Sequence, residues 1–301
     1  MSFSVWPGFD DVMKNSNTET LSKLLVIAGS GGYPRLVVEG ARRAGVPKVD
    51  VAAIRGSTDW ATRRAGDEII PVTLGTIAAG IREFGRRGYD GCIIAGQVNP
   101  LSLFAGRFDR EVQKWLDELE VKTAHTIFSK LIEKLALVGV RVLPASLYMD
   151  DSMPGEGLLT NRPLTEAEEN DIRHAQNVAR DVGLHDVGQT VMVKRGMVLA
   201  VEAFEGTNRA IRRGGRLGGI GSVVFKAARE GHDFRFDIPV VGLKTLRVMK
   251  RAGATALAFQ AGRLVLLDRA AVVDYANRKG IALIGLESGL PKAPLRLGFA
   301  Q

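Results

Sequence analysis

Leu24-Leu25-Val26-Ile27-Ala28-Gly29-Ser30-Gly31-Gly32-Tyr33-Pro34 is the stretch from which the rest of the chain can be read. Its first five residues are a continuous apolar run, the pattern of a strand covered on both faces. Four turn-forming residues follow, and Pro34 stands where a helix begins, a position that tolerates its missing N–H. Leu36, Val37, Gly40, Ala41 and Ala44 then mark one helical face, and Gly45 ends it. Outward from there the alternation continues. Val49–Ile54, Glu68–Val72 and Cys92–Ala95 read as strands and Thr76–Arg87 as a helix. Phe108, Val112, Trp115, Leu116 and Leu119 fall at helical spacing, as do Ile127, Leu131 and Leu135, and Val140–Leu143 is expected as a last strand. Strands alternating with helices predict right-handed βαβ units in an open parallel sheet.

Past Leu143 the texture changes. Pro144, Asp150, Asp151, Pro154, Gly155 and Gly157 punctuate a segment with the composition of a linker. Thr165 and Glu168 form a capping box before a helix reaching about Asp181. Thr190–Lys194 and Met197–Val201 flank Arg195-Gly196 as a hairpin. Further strands are expected at Val223–Ala227, Thr255–Gln260, Leu264–Leu267 and Ile281–Ile284, with helices at Leu243–Ala252 and, capped by Asp268, at Arg269–Lys279. The expected class is α/β: a Rossmann-like parallel-sheet domain over 23–148, a linker over 149–163 and a mixed α+β catalytic domain over 164–301, preceded by a flexible arm over 1–22.

Composition narrows the function classes. The chain has 301 residues, 46% hydrophobic and 25% charged, which is ordinary for a globular protein. A net charge of +8 favours anionic partners without choosing among them. The single cysteine, Cys92, excludes an intrachain disulfide and a cysteine zinc cage, and suits a reducing compartment. No apolar run is long enough to span a bilayer, and residues 1–22 lack the basic and apolar regions of a secretory signal. A cytoplasmic protein is expected.

The chemistry concentrates in a few places. The Gly29–Pro34 turn points backbone N–H groups and a helix N-terminus toward an anion, so it suits a phosphate or serves close packing. A dinucleotide fingerprint is not met: Pro34 occupies the place of its third glycine, and Arg55, not an acid, follows the second strand. Gln97 and Asn99 follow the Cys92–Ala95 strand, where ligands of open parallel sheets gather; a turn role suits Asn99 equally. In the second half, Glu202, Glu205, Gly206 and Thr207 lead into Arg209, Arg212 and Arg213, carboxylates for a divalent cation beside cations for phosphate. Lys226 comes next, then Asp233, Arg235 and Asp237, which share one face of an extended segment. That pattern points to metal-assisted phosphoryl chemistry, with a structural salt-bridge cluster as the plain alternative. His125, His174, His185 and His232 have no zinc-protease spacing, and neither a G-x-S-x-G elbow nor a P-loop occurs. At 6% aromatic residues, with basic groups spread through helices, nucleic-acid binding is a weak option.

Three long elements carry a family resemblance. Asp186-Val187-Gly188-Gln189-Thr190-Val191, Leu199-Ala200-Val201-Glu202-Ala203-Phe204-Glu205-Gly206-Thr207, and Asp233-Phe234-Arg235-Phe236-Asp237-Ile238-Pro239-Val240-Val241-Gly242 with Thr245 resemble the UDP-2,3-diacylglucosamine pyrophosphatases of lipid A biosynthesis, the LpxI type. The Ile27–Pro34 opening fits too, and the resemblance runs from about Lys23 to about Gly285. It implies a Rossmann-like domain and a distinct second domain holding the ligand between them, Mg²⁺ as cofactor, and cleavage to UMP and 2,3-diacylglucosamine 1-phosphate (lipid X). It implies Asp233 and Asp237 as metal-binding, water-activating residues, with Glu202 and Glu205 as further metal ligands. Substrate contacts are expected from Gly29, Gly31, Gly32, Tyr33, Asn99, Gln189, Thr207, Arg212, Arg213, Lys226, Arg235 and Thr245.

The expected partners are the acylated UDP-sugar, its lipid product, a weakly attracted inner-membrane surface and a second copy of the chain. Two departures from the family pattern stand near the site: Asn208 where the family usually has Asp, and Arg229-Glu230-Gly231-His232 where it commonly has Lys-Pro-x-Gln. A non-catalytic nucleotide- or lipid-binding relative and a Rossmann oxidoreductase are the rival readings.

Overall fold

The apolar run that opens the pattern forms β1 (Lys23–Ala28), with residues 24–28 buried. It lies inside a parallel sheet with β2 (Lys48–Ile54), β3 (Ile69–Val72) and β4 (Gly91–Ala95), in the order β3-β2-β1-β4. Ala28 stands opposite both Ala53 and Ala95, so small side chains line the edge where these strands end. Between β1 and β4 the strand order reverses, the switch point at which open α/β sheets receive ligands. The helices are α1 (Tyr33–Arg43), α2 (Trp60–Ala65), α3 (Ile77–Arg87), α4 (Arg110–Asp117) and α5 (Ala124–Leu137). The computed structural model describes residues 21–97, 108–185, 187–228, 235 and 238–287. The chain divides into two compact units, Met1–Pro144 and Ala145–Gln301.

Two local expectations change in the first unit. Val140–Leu143 makes a single parallel bridge, Cys92 to Val142, held by Cys92 N–H on Arg141 O and Leu143 N–H on Cys92 O. Pro144 then offers no N–H to extend the ladder. The helix α2 has no counterpart in the sequence reading, because six residues are too few for a periodic signal; the Asp59 carboxylate starts it by accepting from Thr62 N–H at 2.7 Å. The expected arm lies outside the described residues as far as residue 20, while Ser22 is tied by backbone and hydroxyl to Asp90.

In the second unit the capping box forms as expected and starts α6 (Glu166–Gly183). The hairpin forms β6 (Thr190–Lys194) and β7 (Met197–Val201), followed by α7 (Thr207–Gly218), β8 (Ser222–Lys226), β9 (Val240–Val241) and α8 (Leu243–Ala252). Then come β10 (Ala254–Gln260), β11 (Val265–Leu266), α9 (Arg269–Lys279) and β12 (Ala282–Leu286). Part of the expected linker is itself a strand: β5 (Gly157–Leu158) pairs antiparallel with β12. The six-stranded order is β5-β12-β10-β8-β6-β7, with β8, β10 and β12 parallel and the β6–β7 hairpin added antiparallel at one side. β9 and β11 form a separate pair.

Alternation along these strands builds three layers. Val191, Val193, Val223, Phe225, Ala256 and Ala258 face α6 through Ile172, Ala175 and Ala179. Their neighbours Met192, Val224, Leu257 and Phe259 pack on the other face with Ile211 of α7, Leu246 and Met249 of α8, and Val272 and Ala276 of α9. Among the described residues no helix is long and apolar enough to cross a membrane.

Candidate functional site

Lys226 ends β8, and the alternation just described sends it to the same face as Val224, toward α7. Strand register places Thr190, the first residue of β6, directly opposite it. Glu202 follows the end of β7, and its N–H donates to Thr190 O at 2.8 Å, which brings it to the same sheet edge. Thr207 opens α7 at that edge, behind Gly206. The result is one connected group. Lys226 Nζ donates to Thr207 Oγ1 at 2.7 Å and to Thr190 Oγ1 at 3.4 Å. Thr207 Oγ1 donates to the two Glu202 oxygens, 3.0 Å from each. Lys226 Nζ is 3.8 Å from Glu202 Oε2, and their side chains are 6% and 14% exposed.

Several backbone contacts hold this edge in shape. Gly188 lies so close to the Glu202 carbonyl that any Cβ there would overlap it. Ala227 N–H donates to Gln189 O and Ala228 N–H to the Gln260 side-chain oxygen, each at 2.8 Å, fixing the chain as it leaves β8. The first turn of α7 has no side-chain cap, because its N-cap residue is Gly206, and the Thr207 hydroxyl is turned to Lys226 and Glu202. Its dipole therefore faces the edge where Lys226 adds a full positive charge. Asn208 Oδ1, in the same turn, is buried and accepts no hydrogen bond among the described residues.

The remaining expected residues separate into groups. Glu205 accepts from Arg213 at 2.5 Å and from Ala203 N–H at 3.1 Å, and the Arg213 guanidinium holds its carboxyl below the usual range. Arg213 also donates to Val201 O, whereas Arg212 is exposed. Thr245 is buried in the first turn of α8. Gln189 and Arg235 are half-buried. Asp233, Asp237 and Asn99 lie outside the described residues. Among the described residues no three metal-ligating side chains converge. Glu202 and Glu205 are already engaged by Thr207 with Lys226 and by Arg213, so these two carboxylates do not make a metal cage by themselves.

In the first unit the Gly-rich turn divides by function. A Cβ on Gly29 would come 2.6 Å from Gln97 O, so this glycine serves the close passage of β1 and β4, cross-linked by Ser30 N–H on Gln97 O and Gln97 N–H on Ser30 O. Gly31, at φ +91°, and Gly32 have open space on the side a Cβ would take. These two are the positions where a ligand can approach the backbone. The Tyr33 ring is buried, which pushes its hydroxyl pKa up.

Residue type alone gives no role to Thr190 or Gln260. Two-residue alternation across the β6–β8 register is the signal that finds Thr190. An apolar cavity of about 70 Å³ lies in the first unit among Ile77, Val112, Trp115, Leu116 and Leu131. At about 30 Å³ per water it is too small for a fatty-acyl chain. A wide groove of about 640 Å³ runs along α9 past Asp151, Arg269 and Asn277 and contains none of the Lys226 group.

Residues 23–152 match the model of the LpxI N-terminal domain, and residues 155–284 that of the LpxI C-terminal domain. A relative from Caulobacter vibrioides, UDP-2,3-diacylglucosamine pyrophosphatase LpxI, is 29% identical over 279 residues, covering 89% of this chain and 98% of the relative.

Proposed function

This chain belongs to the LpxI family, and from that premise we propose that it hydrolyses the pyrophosphate bond of UDP-2,3-diacylglucosamine in lipid A biosynthesis. Water adds across one P–O–P linkage, giving UMP and 2,3-diacylglucosamine 1-phosphate as phosphomonoester dianions and releasing two protons. The observation that carries the reading is the match to the Caulobacter pyrophosphatase over 98% of its length. The geometry agrees chemically. A diphosphate needs preorganised positive charge, and the Lys226 ammonium and the N-terminus of α7 meet at one sheet edge beside a carboxylate and two hydroxyls. In this reading Lys226 and the α7 amides bind phosphoryl oxygens. Thr207 and Thr190 fix the direction of the ammonium, and Glu202 lies beside it.

Mg²⁺ belongs to the proposal through Asp233 and Asp237, with Glu202 able to join them. Bound there, it would neutralise diphosphate charge and lower the pKa of a water. The reaction is placed in the cytoplasm at the inner-membrane surface, where a diacyl substrate partitions.

The test incubates purified protein with UDP-2,3-diacylglucosamine and Mg²⁺ and follows nucleotide and lipid products by mass spectrometry, beside an Asp237→Asn variant. UMP and lipid phosphate from the parent, at least about 100-fold less from the variant, and loss of turnover with EDTA are expected. Release of UDP in place of UMP, no turnover by the parent, or equal turnover by both proteins would overturn the reading.

A further inference from the structure

The sheet edge that carries the Lys226 group also carries an exposed apolar rim. Phe204 is 76% exposed, Leu184 68% and Val187 42%. Their neighbourhood follows from the chain path. Val187 precedes Gly188, which lies against the Glu202 carbonyl, and Phe204 stands two residues beyond Glu202. Leu184 caps α6, and Val187 N–H donates to Val182 O of that helix. Large apolar side chains left this exposed at one end of a sheet are a surface suited to an apolar medium.

Among the described residues, the charges near Phe204 that lack an ion pair are positive. Arg209 and Arg212, on the exposed side of α7 just after Phe204, carry no ion pair among the described residues. The nearby acids are engaged: Glu205 by Arg213 at 2.5 Å and Asp181 by Arg180 at 2.9 Å. Uncompensated arginines beside apolar anchors complement an anionic lipid surface, where phosphates take the cations and the apolar groups enter the acyl boundary.

We infer that this rim, with Phe204, Val187 and Leu184 as anchors and Arg209 and Arg212 as phosphate contacts, is where the protein docks on an anionic bilayer. Docking there sets the Lys226 group at the membrane surface, so a diacylated substrate can present its headgroup while its chains stay in lipid. Only the choice of this rim over a second apolar group rests on the proposed activity. That second group, Met197, Leu217 and Ile220, lies at the hairpin end of the sheet, about 13 Å away along β6.

Flotation of the full chain with vesicles that contain no substrate tests the inference independently of turnover. Mixed phosphatidylglycerol–phosphatidylcholine vesicles are expected to bind the protein, pure phosphatidylcholine vesicles far less, and raised salt should weaken binding. Phe204→Ser should lower binding about tenfold and Arg209→Ala about fivefold. Leu217→Ser with Ile220→Ser should leave it unchanged. All these side chains are exposed, so unaltered circular dichroism and melting are expected of every variant. No binding by the parent, equal binding to both vesicle types, or loss with the Leu217/Ile220 pair and not with Phe204 would overturn the inference. If hydrolysis of detergent-dispersed substrate fails while vesicle binding behaves as stated, the proposed activity falls and the docking surface stands.

Discussion

The Lys226–Glu202 pair allows a quantitative test through the variants Lys226→Met, Glu202→Gln and their combination. With 3.8 Å between the charged atoms, an effective dielectric constant near 20 gives an attraction of about 4 kcal/mol. Desolvation and the intervening Thr207 hydroxyl take part of that, so a coupling energy of about 2 kcal/mol is expected. Each single variant removes one charge of a buried pair and should destabilise the second unit by about 3 kcal/mol. The double variant should be more stable than the sum of the two by the coupling energy.

The assay must read the second unit. All three tryptophans, Trp6, Trp60 and Trp115, fall within 1–144, so fluorescence would follow the wrong half, and a chain of two units need not unfold in one step. Native-state hydrogen exchange at β6 and β8 amides reports the local opening energy directly. Turnover should separate from stability: Lys226→Met loses about 100-fold in UMP release, and adding Glu202→Gln does not recover it. A coupling below about 0.5 kcal/mol, within the error of additive sites, would refute the account of this pair. So would recovery of turnover in the double variant.

Three further outcomes are expected. Burial opposes ionisation of Glu168, but hydrogen bonds from Arg162, Thr165 N–H and the Thr255 hydroxyl bring its pKa down to about 2. Its stabilising contribution is therefore full above about pH 4.5 and lost as pH falls toward 2. With Arg162 partly exposed to screening, the contribution is about 2 kcal/mol; Glu168→Gln should remove it and flatten the acid limb of a melting-temperature profile. Gly188→Ala should cost about 1–3 kcal/mol and lower turnover, because the Cβ displaces the Glu202 backbone, whereas Gly155→Ala, with nothing within 4 Å, should change neither. Gly32→Ala, at φ −74° and with open space, should shift stability by less than about 1 kcal/mol. It should nonetheless raise KM if the Gly-rich turn receives substrate; an unchanged KM would assign that turn to packing alone.

Much of the fold is legible because its elements are locally coded. The hairpin strands Thr190–Lys194 and Met197–Val201 and the helices Leu243–Ala252 and Arg269–Lys279 have the bounds that alternation, capping and helix-ending glycines predict. The first sheet is read from four apolar runs that need no knowledge of their partners. Expectation fails where structure depends on distant pairing. β5 is two residues that become a strand only because β12 accepts them, and Val140–Leu143 shrinks to a bridge beside Cys92. The candidate site is partly legible for the same reason. Glu202, Thr207 and Lys226 stand out as residue types, but Thr190 becomes their partner only through a register that spans 36 positions.

That register explains why a buried ion pair sits at this edge. Replacing such a pair with apolar side chains of similar volume is often neutral or stabilising by about 1–4 kcal/mol. The protein does just that two positions earlier on the same face, where Met192 and Val224 stand opposite each other in the β6–β8 ladder and pack into the core. The face therefore changes from apolar to charged within one repeat as the strands reach the end where α7 begins. Folding alone gives no reason for the change, since the apolar pattern could have continued to Thr190 and Lys226. A buried ammonium held by the Thr207 and Thr190 hydroxyls beside the Glu202 carboxylate makes sense if an incoming anion takes part in balancing it. The charge and its orientation are then prepared before binding, and little reorganisation is left for the reaction itself.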